Sequence, residues 1–516
     1  MLRKIRLYLA VTGLALITLL FLDFTGIVHQ WFGWLAKIQF IPAMLTVNMV
    51  VIVVLVLATF LFGRVYCSII CPLGILQDGI SHVSGKRKGK KNRFRFSKAK
   101  SWLRYGLLTV FVASLITGIS VIVSLLDPYA AYGRIASNLF APVYRLGNNL
   151  LAWFTERLDS YTFYSTEVWV KSWITFGIAA ATLVLVGILA WKNGRTYCNT
   201  ICPVGTFLGF LSRFSIFRLA FDMEKCTKCN VCERGCKASC IDVKTMSIDH
   251  SRCVTCFNCI EKCKFDAMHY TLRKTGGKKE PQINDSISEK TAKKESISRF
   301  NFLSIAGLFA FTHTVKAQQL QVDGGLADIE DKKVPDRKTP VVPPGADSVK
   351  NMKHHCTACQ LCVSVCPNHI LRPSGKLSTL LQPEMTFEQG YCRPECVECS
   401  KVCPSGAIKE ITAADKTAIS IGQAVWIKDN CVVNTEKLAC TACERHCPTK
   451  AITLVPVNAE TEQNRPQQGF GRRAPVLRYP VVDKELCIGC GACEYLCPAR
   501  PFSAIYVEGN MRHHSV

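Results

Sequence analysis

"CTACQLCVSVCP", residues 356–367, places four cysteines at the spacing C-x2-C-x2-C-x3-C and follows the last with proline. Three thiolates within seven residues clasp one small object, and the fourth, carried on the helix that follows, reaches a second. This is the pattern of a bacterial ferredoxin loop that holds 4Fe-4S clusters. Structural zinc favours two separated C-x2-C pairs, and a secreted disulfide scaffold is short and does not repeat such a triplet.

The same spacing recurs in "CTKCNVCERGC" (226–236), "CVTCFNCIEKC" (253–263) and "CIGCGACEYLCP" (487–498). Two further quartets are irregular at their start: Cys392, Cys396, Cys399 and Cys403, then Cys431, Cys440, Cys443 and Cys447. Both keep the C-x2-C-x3-C-P end. Pairing the quartets in chain order, with each fourth cysteine crossing to the partner cluster, predicts six 4Fe-4S clusters. The expected ligand sets are Cys226, Cys229, Cys232 with Cys263, and Cys253, Cys256, Cys259 with Cys236. In the second pair they are Cys356, Cys359, Cys362 with Cys403, and Cys392, Cys396, Cys399 with Cys366. In the third they are Cys431, Cys440, Cys443 with Cys497, and Cys487, Cys490, Cys493 with Cys447.

Of the 29 cysteines, five stand outside these quartets. Cys240, in "CKASC", has two readings, a replacement for Cys236 as fourth ligand or a small buried hydrophobe, and the x3 offset of Cys236 favours the second. The other four, Cys67, Cys71, Cys198 and Cys202, lie in the near copies "GRVYCSIICPLGILQD" (63–78) and "GRTYCNTICPVGTFLG" (194–209). Two thiols four residues apart share a helical face. The equivalent placement of the copies after two apolar runs predicts that all four meet at the cytoplasmic interface, as an additional redox or metal site.

A chain of 516 residues with a net charge of +25 is too long for one core and is partitioned into modules. Four runs, at 6–22, 42–62, 105–126 and 170–191, are long and apolar enough to cross a hydrocarbon layer of about 30 Å. The basic stretch 86–104 lies between two of them, which places it on the cytoplasmic side and argues against a nucleic-acid role. The expected fold is therefore an α-helical membrane domain of four transmembrane helices, with a fifth candidate at 298–317, joined to α+β ferredoxin-like two-cluster modules. The expected domains are a transmembrane part at 1–202, a cytoplasmic two-cluster module at 203–273, a linker at 274–345 and a four-cluster domain at 346–516. The expected location is the inner membrane of a bacterium, crossed several times.

Residues 1–270, with "YCSIICPLG", "YCNTICPVG" and the following two-cluster ferredoxin, resemble the membrane-bound ferredoxin-type proteins of the NapH/MauN family. That family is related to the membrane part of the nitrous-oxide reductase regulator. Residues 350–516, ending "CIGCGACEYLCPARPFSAIYVEG", resemble its soluble four-cluster partner, the NapG/MauM type. The resemblance implies a natural fusion that carries electrons between the quinone pool or a cytoplasmic donor and a redox partner protein. It implies no substrate-converting site, so the chain reads as an electron-transfer component. The twin-arginine export signal usual in the soluble partner falls at Ser298-Arg299-Phe300, where Phe300 replaces the second arginine. Because the apolar stretch and Ala317 remain, an extracytoplasmic C-terminal domain is expected.

The aromatic, amphipathic stretch 125–154 suits an interfacial helix near a quinone headgroup but reads more readily as an interface belt. His29 reads more readily as an ordinary loop histidine than as a quinol proton acceptor, so neither is taken as a quinone site. Two other function classes stand beside electron transfer. Thiolate pairs select Cu(I), which describes a metal-handling assembly factor. A redox-sensing regulator is the third.

Overall fold

The apolar runs form helices, but glycine and capping residues divide them. The computed structural model describes residues 1–23, 26–87, 94–160, 162–166, 168, 170–273, 330–457, 467–468, 472–473 and 476–516. Helices α1 (Leu2–Leu22) and α8 (Trp173–Asn193) are long and apolar enough to cross a membrane by length and composition. Between them in sequence lie α2 (Met49–Phe62), α3 (Pro72–Arg87), α4 (Ser101–Thr117), α5 (Ser120–Leu126), α6 (Pro128–Ile135) and α7 (Ala141–Glu156), and α9 (Pro203–Ser212) follows.

The runs 42–62 and 105–126 are not single helices. In the first, a short helix Phe40–Leu45 ends at Thr46, and the Asn48 side chain caps a new start by accepting from the Val51 amide at 3.3 Å. In the second, Gly118 at φ +75° closes α4 before α5 begins. Hydropathy adds along a sequence without registering a left-handed residue, so both breaks escape a reading of apolar length alone. The linker and its signal-like stretch 298–317 fall outside the described residues.

The first ferredoxin module pairs β1 (Phe217–Phe221) with β2 (Met268–Leu272), antiparallel, from Phe217↔Leu272 to Phe221↔Met268. One-turn helices, Val231–Gly235 and Asn258–Lys262, follow its two cysteine loops. In the C-terminal domain β3 (Ile419–Trp426) pairs with β6 (Ile505–Ser515), and β4 (Ile452–Pro456) with β5 (Arg478–Val482), both antiparallel. Small cores surround Cys232, Ile241 and Met268 in the first module, and Cys431, Ile452 and Cys497 near the C-terminus.

Residues 1–273 and 332–516 form one compact unit. A continuous core runs from Ile17, Phe21 and Tyr129 of the helices into Met352, Leu361 and Phe387 of the C-terminal domain. The largest fully buried side chains include four arginines, Arg64, Arg104, Arg134 and Arg195. Buried cations require anions or many acceptors around them. They mark where the helices meet the cysteine-bearing parts.

Candidate iron–sulfur and thiol sites

Each regular cysteine loop has left-handed backbone at the same two places, the second residue after the first cysteine and the residue after the second. These are Lys228 and Asn230, Thr255 and Phe257, Ala358 and Gln360, and Gly489 and Gly491. Alternating right- and left-handed residues turn successive N–H groups to one side and form a cradle for an anion. Outside glycine each such residue costs on the order of 1–2 kcal/mol, so six of these eight positions are strained unless something rewards the shape. In the irregular loops the residues after the second cysteine, Val397 and Thr441, lie at φ −123° and −126° instead.

Backbone amides also point at the fourth cysteines. Ala267 donates to Cys263 Sγ at 3.3 Å, Ile408 to Cys403 at 3.4 Å, Ala451 to Cys447 at 3.2 Å and Ala504 to Cys497 at 3.3 Å. N–H donation to sulfur is one of the means by which a protein tunes the potential of an iron–sulfur cluster. One cavity is lined by Cys366, Cys392, Cys396 and Cys399, and a second by Cys431, Cys440, Cys443 and Cys497. Cys356, Cys359 and Cys362 lie within electrostatic range of Cys403, and Cys487 and Cys490 within range of Cys447. In the first module Cys232 neighbours Cys226 and Cys229, while Cys259 neighbours Cys253, Cys256 and Cys236. Among the described residues no group of three or more His, Cys, Asp or Glu is gathered tightly enough for a single metal ion. Cubanes fit these spaces, because their thiolates are spread over several irons.

Cys240 sits at the second of these sites. Its thiol is 3.5 Å from that of Cys236 and also interacts with Cys253. The residue is buried, as expected, yet it lies against two expected ligands rather than in plain hydrocarbon packing.

The two C-x3-C-P pairs follow α2 and α8 beside the first ferredoxin module, where the Asn199 side chain donates to the Ala238 carbonyl at 3.3 Å. Gly63 at φ +79° and Gly194 at φ +73° reverse the chain after each helix, and the next residues fold back into the core. There the Tyr66 hydroxyl donates to Gln39 Oε1 at 3.1 Å and accepts from the Phe40 amide at 3.2 Å. Cys67, Cys71, Cys198 and Cys202 are all buried in one core and within electrostatic range of one another. The arginine of each copy reaches into the other: Arg195 Nη1 donates to the Cys67 carbonyl, and Arg64 Nη2 to the Cys198 carbonyl at 3.3 Å. Asp78 holds Arg195 Nε at 2.7 Å and also pairs with Arg6 and Lys237. The cysteines of the two copies are legible as a site from the sequence and these arginines are not, although Gly-Arg heads both copies.

The helices carry a cysteine-bearing part at each end of α1. Near its start Arg3 pairs with Glu261, and Arg64 and Arg104 donate to the Ser251 carbonyl at 3.2 and 3.3 Å. At its end Phe21 packs under Gly133, where any Cβ would meet the Cys359 carbonyl at 2.5 Å. Arg134 donates to the Ala358 carbonyl at 3.4 Å, Asn138 to Gln360 Oε1 at 2.7 Å, and Lys171 to the Val363 carbonyl at 2.9 Å. An open cavity of about 470 Å³ beside Cys366 is lined by Arg145, Tyr164, His369, Tyr391 and Arg393. Burial, and after it the cations Lys171, Arg145 and Arg372, hold His369 down to about 4. His29, by contrast, is fastened to Asp23, with Nδ1 3.2 Å from Oδ2.

The family Fer4_5, described as a 4Fe-4S binding domain, matches residues 44–91 and 173–222. Fer4_7, a 4Fe-4S dicluster domain, matches residues 355–407 and 438–500. The chain is 34% identical over 183 residues to the ferredoxin-type protein NapG of Escherichia coli, covering 33% of this chain and 74% of that protein. It is 31% identical over 160 residues to the methylamine utilization ferredoxin-type protein MauM of Methylobacillus flagellatus, covering 30% of this chain and 62% of that protein. An uncharacterized protein of Methanocaldococcus jannaschii is 36% identical over 106 residues, 20% of this chain and 42% of its own length. The chain thus spans less than two thirds of the last two relatives. No solved structure matches.

Proposed function

The chain belongs to the ferredoxin-type proteins exemplified by NapG, and from that premise we propose that it carries electrons across a membrane, between cluster-bearing parts at the two ends of its helices. Electron carriage on multiple 4Fe-4S clusters is common ground with these relatives and with both matched families. The crossing is the new element. It rests on α1, whose 21 residues span about 30 Å, the thickness of the hydrocarbon layer, with Glu261 at one end and the Cys359 loop at the other.

The ligands would be the six crossed cysteine sets of the ferredoxin loops. In support stand the two cavities lined by complete crossed sets and the amides that donate to the fourth cysteines. Bound clusters supply one-electron oxidation and reduction. The chain's part is to hold them at fixed depth, exclude water and tune potential through N–H donors and nearby charge. In this reading the first module is cytoplasmic, which the density of Lys and Arg in 86–104 supports, and the C-terminal domain lies on the far side of the inner membrane. The cavity beside Cys366 is where a small electron donor, such as a quinone, meets the chain. Its residue Arg145 belongs to the amphipathic α7, whose Val143, Leu150, Trp153 and Phe154 are exposed.

The test is redox titration of the purified chain in nanodiscs. A quinol analogue should bleach the cluster absorption, and exterior protease on spheroplasts should remove residues 346–516. Stoichiometric copper without bleaching would replace this reading with metal handling, and a protected C-terminal domain would remove the membrane crossing.

A further inference from the structure

We infer that the two C-x3-C-P pairs jointly hold one additional iron–sulfur cluster, ligated by Cys67, Cys71, Cys198 and Cys202 and buried between the two ferredoxin-bearing ends of the helices.

Ligand number is the first argument. The two segments matched as a 4Fe-4S binding domain, 44–91 and 173–222, contain two cysteines each. Neither alone can ligate a cluster that needs four thiolates. The fold brings both segments together, and the four thiols share one buried core. The requirement is met only by the pair.

The sulfurs are also furnished with donors, as in the ferredoxin loops. The Gly205 amide donates to Cys202 Sγ at 3.3 Å, Gln77 Nε2 to Cys198 Sγ at 3.1 Å, and Arg64 Nη2 lies 3.7 Å from Cys67 Sγ. Glycine is required beside each pair. A Cβ on Gly74 would stand 2.5 Å from the Cys67 carbonyl and 2.7 Å from Arg195, and one on Gly205 would stand 2.2 Å from the Cys198 carbonyl and 2.8 Å from Arg64. The two copies thus build equivalent halves of one site.

Charge is the third argument. Arg64 is fully buried, and its acceptors are Asn199, two carbonyls and a thiol, all neutral as drawn. Arg6, Arg195 and Lys237 share the single carboxylate of Asp78. A buried cation facing only neutral acceptors costs several kcal/mol, roughly, which an adjacent anion removes. A cluster on four thiolates is that anion. A pair of neutral dithiols or a disulfide leaves the charge uncompensated.

Position then gives the site its role, and this part rests on the electron-carrying reading above. Arg64 touches both the quartet and the Ser251 carbonyl, two residues before Cys253. On the far side Arg134 lies within electrostatic range of Tyr197, next to Cys198, and of Cys359. The additional cluster stands between the module at 226–263 and the loop at 356–366. It accepts one electron from one neighbour and passes it to the other, with no bond made and no proton moved.

The experiment compares iron and acid-labile sulfide in the purified full chain with those in the variant Cys67→Ser/Cys71→Ser/Cys198→Ser/Cys202→Ser. The expected result is a loss of about four iron and four sulfide per chain, with the ferredoxin clusters retained. Equal iron in both proteins, or a loss of zinc or copper instead of iron, overturns the site. Gln77→Leu guards against a misfolded quartet variant: it keeps all four ligands and should lower the potential of one cluster alone, seen as one displaced EPR signal in a redox titration. No displaced signal likewise overturns the site. In liposomes, loss of the iron with unchanged electron transfer between the two faces overturns the relay and leaves the ligand set standing.

Discussion

Arg195 Nη1 donates to the carbonyl oxygen of Cys67 at 2.6 Å, so the second repeat clamps the cysteine turn of the first. The same guanidinium holds Asp78 through Nε at 2.7 Å. Replacing it with methionine keeps much of the volume but removes the one guanidinium that both holds Asp78 and clamps the turn, leaving the carboxylate to Arg6 and Lys237. Arg195→Met should lower unfolding stability by about 3–5 kcal/mol, the usual consequence of breaking a buried ion pair. Thermal unfolding in detergent measures it. A loss below about 1 kcal/mol would mean that Arg6 and Lys237 suffice to neutralise Asp78.

Cys240 lies 3.5 Å from Cys236 and close to Cys253, which makes it a spare ligand. Cys236→Ser should retain both clusters of the first module, while Cys236→Ser/Cys240→Ser should lose one. Iron content of the chain distinguishes the two variants, and loss in the single variant rejects substitution by Cys240.

The left-handed positions give a pair of opposite predictions. Ala358 at φ +55° carries a Cβ where none is favoured, so Ala358→Gly should stabilise the C-terminal domain by about 1 kcal/mol. At Gly489, φ +73°, a Cβ would meet the Gly422 amide nitrogen at 2.6 Å, so Gly489→Ala should destabilise the same domain and disturb the cluster at Cys487. Denaturant unfolding checks both signs.

Gly133 is the seat of the loop that bears Cys359, since a Cβ there would stand 2.5 Å from that residue's carbonyl. Gly133→Leu should push the C-terminal domain off the helices. Electron transfer from the first module to the last four clusters should fall at least tenfold with iron content unchanged. Stopped-flow reduction monitored in the visible range measures this, and an undiminished rate would remove Gly133 as the point of docking.

The ferredoxin character of the chain was legible because cysteine spacing is dictated by one rigid cofactor, whatever residues lie between. The left-handed turns were not, because the residues there are as different as Lys228, Thr255, Ala358 and Gly489. Apolar length found α1 and α8 but ran through the breaks at Asn48 and Gly118, which are made by a cap and a backbone angle. The fold-back of the two cysteine pairs was hidden for a similar reason. Gly63 and Gly194 reverse the chain, and a reversal changes neither hydropathy nor spacing. The docking of the C-terminal domain rests on small residues, Gly118 under the His354 ring and Gly133 under Cys359, whose meaning appears only with the partner in place.

Asp78 receives Arg6 from the first helix, Arg195 from the second repeat and Lys237 from the loop between Cys236 and Cys240. Its partners emerge from the ribosome at three widely spaced moments, and the last is made only after the membrane part is complete. Lys237 thus adds a third cation to a carboxylate that Arg6 and Arg195 already neutralise, and ties the first module to helices that meet without it. One carboxylate therefore fastens three parts of the chain that are made far apart in time, and losing it would loosen the first module from the helices as well as the helices from one another.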